Sequence, residues 1–236
     1  MTRLAVINWG TGDRVAVLIH GLSSRAALWG ALAGSLAERG YRVVAPDLRG
    51  HGRSPRGHYS VDEWVADLLE VVPAEPDLAV GHSLGGVLLA VAVPSLRPRR
   101  AVYIDPPWIA GGDTERRIAD FESRKHLPRD AIARANPDWT EEETDLRHEG
   151  FALWDETTAR AFVMSRRSDY TPSGPPRQPS LLVLPEVSPL VPRPVAERMR
   201  MSGWAVEMVP RTGHYVHLDD RSAFLRRLVS WLETDL

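Results

Sequence analysis

Apolar and polar positions alternate between two periods along this chain. Short, continuously apolar runs stand between segments whose apolar residues recur every three or four positions. The runs are "RVAVLIHG" (Arg14–Gly21), "YRVVAPDLRG" (Tyr41–Gly50, ending in a turn), "DLAVG" (Asp77–Gly81), "RAVYID" (Arg100–Asp105), "LLVL" (Leu181–Leu184) and "AVEMV" (Ala205–Val209). Their length and their flanking turn residues predict buried strands. A helix is predicted over Leu28–Gly40, with Leu28, Leu32 and Leu36 on one face and Gly40 at its end. A second runs over Ser60–Val72, opened by a capping box of Ser60 with Glu63. A third covers Leu84–Val93 and is stopped by Pro94. Two more are expected near Pro194–Met201 and over Asp219–Glu233. Apolar strands alternating with helices imply an α/β fold, a mostly parallel sheet covered on both faces.

The rhythm breaks after Asp105. From Pro106 to about Tyr170 the chain is charged, helix-prone and rich in aromatic residues, Trp108, Phe151 and Trp154 among them. A proline-rich return, "TPSGPPRQPS", leads back to the strand at Leu181. The organisation expected is a core of residues 1–105 and 180–236, with a helical insertion over 106–179. No repeat at solenoid periods interrupts it.

Composition narrows the function classes. A chain of 236 residues suits one core domain with an insertion. A formal net charge of −2 gives no electrostatic draw toward nucleic acid or anionic lipid. The absence of cysteine excludes disulfides, thiolate nucleophiles and Cys-ligated metals. "MTRLAVINWGTGDR" has no long apolar core, and the longest apolar run, near Val87–Val93, is too short to span a bilayer. The expectation is a cytoplasmic monomer or homodimer that acts on a small molecule, with no nucleic-acid or membrane partner.

The chemistry gathers around "AVGHSLGGVLLA". Ser83 stands at the join of a strand and a helix, in Gly81-His82-Ser83-Leu84-Gly85. A join this tight strains the central residue and needs very small neighbours two positions away. It exposes the hydroxyl at the carboxyl edge of the sheet, in front of a helix N-terminus. A nucleophilic serine needs a base. Of eight histidines, His214 in "VPRTGHYVHLDD" follows the last strand, in a loop able to reach that edge, with His217 its nearest competitor. His20 and His82, at strand ends against glycines, read as packing or backbone-orienting residues. An oxyanion needs two N–H donors: Leu84 supplies one, and the loop after "VLIHG" the other, at Leu22 or Ser23.

With these residues in place the chain resembles the α/β-hydrolase superfamily. "LIHGLSS", "YRVVAPDLRGHGRSP", "VGHSLGG", "VYIDPP" and "RTGHYVHLD" stand in that family's order. The resemblance implies Ser83 as nucleophile, His214 as base, and the amides of Leu22 and Leu84 as oxyanion donors. It implies a cap over the active site after Asp105, and a structural role for Asp47 and the loop Arg49–Ser54. One departure stands out. Family members usually carry the triad acid in the loop after the strand at Leu181–Leu184, where this chain has Ser188. Asp105, after the preceding strand, is the favoured acid; Glu186, in the expected loop, is the alternative, and a third possibility is that there is none.

The reaction expected is two-step acyl transfer on a small, apolar carboxylic ester or related compound, with no cofactor and no metal. Carbon–carbon bond hydrolysis, lactone opening or perhydrolysis would use the same residues. A non-catalytic binding protein on this scaffold is the reading from a different class. Trp108, Phe151 and Trp154 are candidates for an apolar substrate pocket, although each also suits simple packing of the insertion. Arg116, Arg117, Arg124, Arg166 and Arg167 are candidates to meet a substrate carboxylate.

Overall fold

The structure, a computed structural model, describes residues 3–109, 112–165 and 169–234. Seven strands form one sheet in the order β1-β3-β2-β4-β5-β6-β7. They are β1 (Val6–Trp9), β2 (Arg14–Ile19), β3 (Tyr41–Pro46), β4 (Leu78–His82), β5 (Ala101–Ile104), β6 (Ser180–Pro185) and β7 (Ala205–Val209). Every pairing is parallel except that of β1 with β3. The six strands expected from the sequence are all present. β1 is the addition: four residues on the sheet edge, three half-buried and Asn8 exposed, too short to carry a periodic signal.

Side chains of the central strands alternate between two cores, as a sheet covered on both faces requires. Ala16, Leu18, Val80, Val102 and Val183 face α1 (Gly30–Ala37) and α10 (Arg221–Leu232). Val17, Ile19, Ala79, Tyr103 and Leu182 face α2 (Val61–Val71), α3 (Leu84–Leu96) and α8 (Arg193–Met201). Between β5 and β6 the described residues form four α-helices, α4 (Thr114–Glu122), α5 (Arg129–Ala135), α6 (Glu141–Leu153) and α7 (Thr157–Ser165), with a 3-10 turn at Ser123–His126. Their apolar residues Ile132, Phe151 and Phe162 join the second core. No helix among the described residues is long and apolar enough to cross a membrane.

Several local expectations are corrected. α3 does not stop before Pro94 but runs through it to Leu96. Buried Leu96 anchors the last turn, its carbonyl accepts from Glu75 N–H at 2.8 Å, and Arg97 closes it in the left-handed region. Leu28 does not share a face with Leu32 and Leu36. It lies in a separate 3-10 turn, Ala26–Trp29, and packs with Trp139 and Leu218. Ser60 accepts from Glu63 N–H at 3.2 Å, but the reciprocal half of that capping box is missing, because the Glu63 carboxylate faces His58 instead. The box is complete at Thr140 and Glu143, which open α6. A one-turn helix, α9 (Val216–Asp219), precedes α10.

Register sets the functional edge. His82 pairs with Ile104 and Ile104 with Val183, so β4 and β5 end side by side and Ser83 and Asp105 leave the sheet as neighbours. Ser83 N–H still donates to Ile104 O, and Asp105 N–H to Val183 O, each at 2.9 Å. Ligands of open α/β sheets bind outside this carboxyl edge.

Candidate active site

The turn at Ser83 is as tight as the motif demands. Ser83 has φ +53° and ψ −119°, a conformation that costs a non-glycine residue of order 1–3 kcal/mol. The closeness of the chain explains the flanking glycines. A Cβ on Gly81 would lie 2.3 Å from Gly85 O, and one on Gly85 would lie 2.1 Å from Ile19 O. Gly21 is less tightly pressed but also close: a Cβ there would lie 3.0 Å from the Ser83 Cβ. The loop after β2 therefore runs directly against the serine.

His214 Nδ1 lies 2.7 Å from Asp105 Oδ2, and Asp105 is fully buried. The second carboxylate oxygen accepts from Ser188 Oγ at 2.5 Å. Ser188 Oγ in turn accepts from the amides of Leu190 and Val191, at 3.1 and 2.9 Å. Where an aspartate was expected, this chain thus has a serine that serves the carboxylate of another strand. Glu186, the alternative acid, is exposed and outside this network. The pairing commits Nδ1 of His214 and leaves Nε2 as its other ring nitrogen.

The other histidines around the edge order the backbone. His82 Nε2 donates to the carbonyl of His214 at 2.9 Å. His20 donates from Nδ1 to Gly21 O at 2.8 Å and accepts from Leu48 N–H at Nε2, 2.9 Å away. His51 donates from Nδ1 to Arg49 O and accepts from Ser23 N–H, both at 3.1 Å. Burial drives His20, His51 and His82 below the usual imidazole range, as neutral acceptor nitrogens require. His217 is buried against Trp29, ring centroids 4.5 Å apart, and burial pushes it down to about 3.

The loop holding Leu22 is fixed from both sides. Ser23, at φ +58°, has its amide committed to His51, which removes it as an oxyanion donor. The amides of Leu22 and Leu84 have no acceptor among the described residues, although both residues are buried. Buried backbone donors without partners are rare. Asp47 holds the neighbouring loop, accepting from the amides of Ala26 at 2.7 Å and Arg53 at 2.9 Å.

Ser83, Asp105 and His214 line one cavity of about 500 Å³ between the sheet edge and the insertion. Of the three aromatic candidates only Phe151 lines it. Trp108 and Trp154 do not. Trp108 packs against Tyr103 and Trp204, and Trp154 donates to Thr158 Oγ1 at 2.6 Å, both indoles being fully buried. Arg117 and Arg124 line the cavity, Arg116 faces solvent, and Arg166 and Arg167 lie outside the described residues. The sequence reading missed Tyr215 and Arg147, which also line it. Tyr215 adjoins the base, and Arg147 reaches the wall only through the packing of α6, which no local pattern records. Among the described residues no group of three or more His, Asp or Glu side chains is placed to hold a metal ion.

Comparisons with known proteins bear on the fold and the family. Lipase LipV of Mycobacterium tuberculosis is 34% identical over 125 residues, 50% of this chain and 47% of that protein. A pyrethroid hydrolase of Sphingobium wenxiniae is 41% identical over 80 residues, 31% of this chain and 28% of the relative. An uncharacterized protein of M. tuberculosis is 44% identical over 82 residues, and the chain spans 24% of its length. Among solved structures, an esterase from Exiguobacterium antarcticum superposes with a TM-score of 0.77 at 18% identity, covering 99% of this chain and 96% of its own. E-2-(acetamidomethylene)succinate hydrolase does so with a TM-score of 0.79 at 24% identity, covering 98% and 95%. At such identities these likenesses speak for the fold. The family model described as "Alpha/beta hydrolase family" matches residues 16–227, and the chain belongs to that family.

Proposed function

We propose that this protein is a serine hydrolase that cleaves a small carboxylic ester or related acyl compound through an acyl-enzyme. The observation that carries the reading is the convergence of a strained serine and an Asp105–His214 pair on one cavity, and the amides of Leu22 and Leu84, uncommitted among the described residues, support it. Ser83 Oγ attacks the carbonyl carbon as His214 Nε2 takes its proton. Asp105 stabilises the imidazolium that forms, and the amides of Leu22 and Leu84 receive the oxyanion. Collapse of the tetrahedral species expels the alcohol, which takes the proton from His214. Water then attacks the acyl-enzyme, giving its proton to the same nitrogen, and the carboxylic acid leaves with Ser83 restored. The insertion over 106–179 acts as the cap that shapes the guest's space. The pairing of Asp105 with Ser188 counts against the non-catalytic reading, whose main support was the missing acid.

Labelling with a fluorophosphonate probe, beside a panel of p-nitrophenyl esters, a lactone and a diketone, tests this. Wild type should label and turn over at least one short ester, and Ser83→Ala should do neither. A folded wild type that fails to label, or a Ser83→Ala protein that keeps full turnover, overturns the proposal.

A further inference from the structure

Arg147 is a buried cation without a counter-charge. Only 4% exposed, it projects from α6 into the cavity wall that also contains Ser83. Its guanidinium lies over the Phe151 ring at 4.1 Å and the Tyr215 ring at 5.1 Å. Nη1 donates to Ser23 O at 2.5 Å and Nη2 to Ser23 Oγ at 3.2 Å. A guanidinium has five N–H donors, so three are left without an acceptor among the described residues. Four acids of its own helix are engaged elsewhere, Glu141 and Asp145 with Arg129, Glu143 with Arg221 and Glu149 with Arg25, and the fifth, Glu142, is exposed to solvent. Asp105, the only carboxylate among the described residues that line the cavity, is taken by His214 and Ser188.

A second cation strengthens the sign of this wall. Arg124 lines the cavity with its guanidinium 4.7 Å over the Phe121 ring, and forms no ion pair among the described residues. Withdrawing an unpaired charge from water is costly. A guest that supplies the opposite charge removes that cost, and the planar fork of arginine matches a carboxylate with two parallel hydrogen bonds.

We infer that the compound cleaved at Ser83 carries a carboxylate that docks on Arg147, with Arg124 adding to the attraction. The inference rests on the hydrolase reading above and narrows it from a small carboxylic ester to an acid-bearing one, where the sequence had suggested an apolar one. Ser23 uses two donors of Arg147 as a clamp on the loop of Leu22. A clamp alone affects all substrates equally, whereas a docking site discriminates between them, so the selectivity ratio separates the two roles.

The test compares each acid-bearing ester with its own methyl ester on one enzyme preparation. The p-nitrophenyl monoesters of succinate, glutarate and adipate place the acid in the acyl part, and 4-acetoxybenzoate places it in the leaving group. At least one acid should exceed its neutral partner tenfold or more in kcat/KM. Arg147→Met should bring that ratio near one, Arg147→Lys should keep part of it, and Arg124→Gln should lower it several-fold. The inference is overturned if every acid falls at or below its methyl ester, or if Arg147→Met leaves the ratio unchanged. Should Arg147→Met fail to fold, competitive inhibition of wild type by glutarate but not by glutaramide supports the site, and equal or no inhibition by the two overturns it. Calorimetry with glutarate keeps the two proposals apart. Binding without turnover of any ester sinks the hydrolase reading alone; turnover of neutral esters without glutarate binding sinks this one alone.

Discussion

Ser188 and Asp105 stand 83 positions apart in the chain, yet the serine hydroxyl donates to the carboxylate at 2.5 Å. The opposite oxygen holds His214 Nδ1 at 2.7 Å. The carboxylate therefore has a fixed orientation, set from the loop after β6 and used in the loop after β7. If Asp105 orients the base, Asp105→Asn lowers kcat by about 10³–10⁴-fold, the scale of such a change in a triad. Glu186→Gln, on the exposed side of the same loop, leaves kcat within about twofold, the usual effect of a surface change. Ser188→Ala lowers it by about 10- to 100-fold, since a hydrogen bond to a charged group contributes about 1.5–3 kcal/mol. Steady-state kinetics on a labelled-active ester decides the ranking; a crippling Glu186 change beside a mild Asp105 change reverses the assignment.

His82 fixes the backbone of the base through the carbonyl of His214. His82→Ala leaves that carbonyl without its donor and opens space beside Gly21. The expected cost is about 1–3 kcal/mol in urea unfolding, with a fall in kcat at unchanged Ser83 labelling stoichiometry. Unaltered stability and rate would remove His82 from the site's support.

The glycines of the elbow tolerate no side chain. Gly85→Ala places a methyl group 2.1 Å from Ile19 O, and Gly81→Ala one 2.3 Å from Gly85 O, both against backbone with no room to yield. Overpacking by one methyl typically costs about 1–3 kcal/mol, and these contacts lie beyond that range. Gly85→Ala should give little soluble protein and a lowered Tm. Gly34→Ala, where a Cβ meets nothing, should be at least as stable as wild type.

Acid should weaken the fold well before the carboxylates titrate. His20, His51, His82 and His217 are all driven down by burial, His217 to about 3. The unfolded chain binds protons at these residues near pH 6.5 while the folded one does not. Stability is therefore full above that pH and declines as pH falls from there toward each folded value. The slope approaches about 1.4 kcal/mol per pH unit for each histidine. Urea midpoints at pH 8, 7, 6 and 5 should be flat over the first pair and drop steeply over the last. A midpoint that holds between pH 7 and 5 contradicts the neutral, buried assignment.

The elements around Ser83 were legible because each is local. Gly81 and Gly85 flank the serine in sequence as they do in space, and the apolar runs before and after declare strand and helix. Asp105 was reachable because it ends a strand whose apolar run is unmistakable. What escaped depends on distance along the chain. The role of Ser188 needs β5 and β6 to be paired. Arg147 reaches Ser23 across 124 positions, and nothing in α6 itself marks it. Trp108 and Trp154 look like cavity residues by composition, but burial against Tyr103 and Thr158 takes them out of the wall. Pro94 misled because a proline's local penalty is outweighed when the turn beyond it is buried.

Ser23 is held by its own left-handed bend and pegged by two remote parts of the chain, the imidazole of His51 and the guanidinium of Arg147. The last of these pegs belongs to the roof, not to the floor. Swinging the roof aside to admit a bulky guest pulls that peg and slackens the strap carrying the Leu22 amide. On the proposed mechanism, such a displacement would cost the site one of its two oxyanion donors.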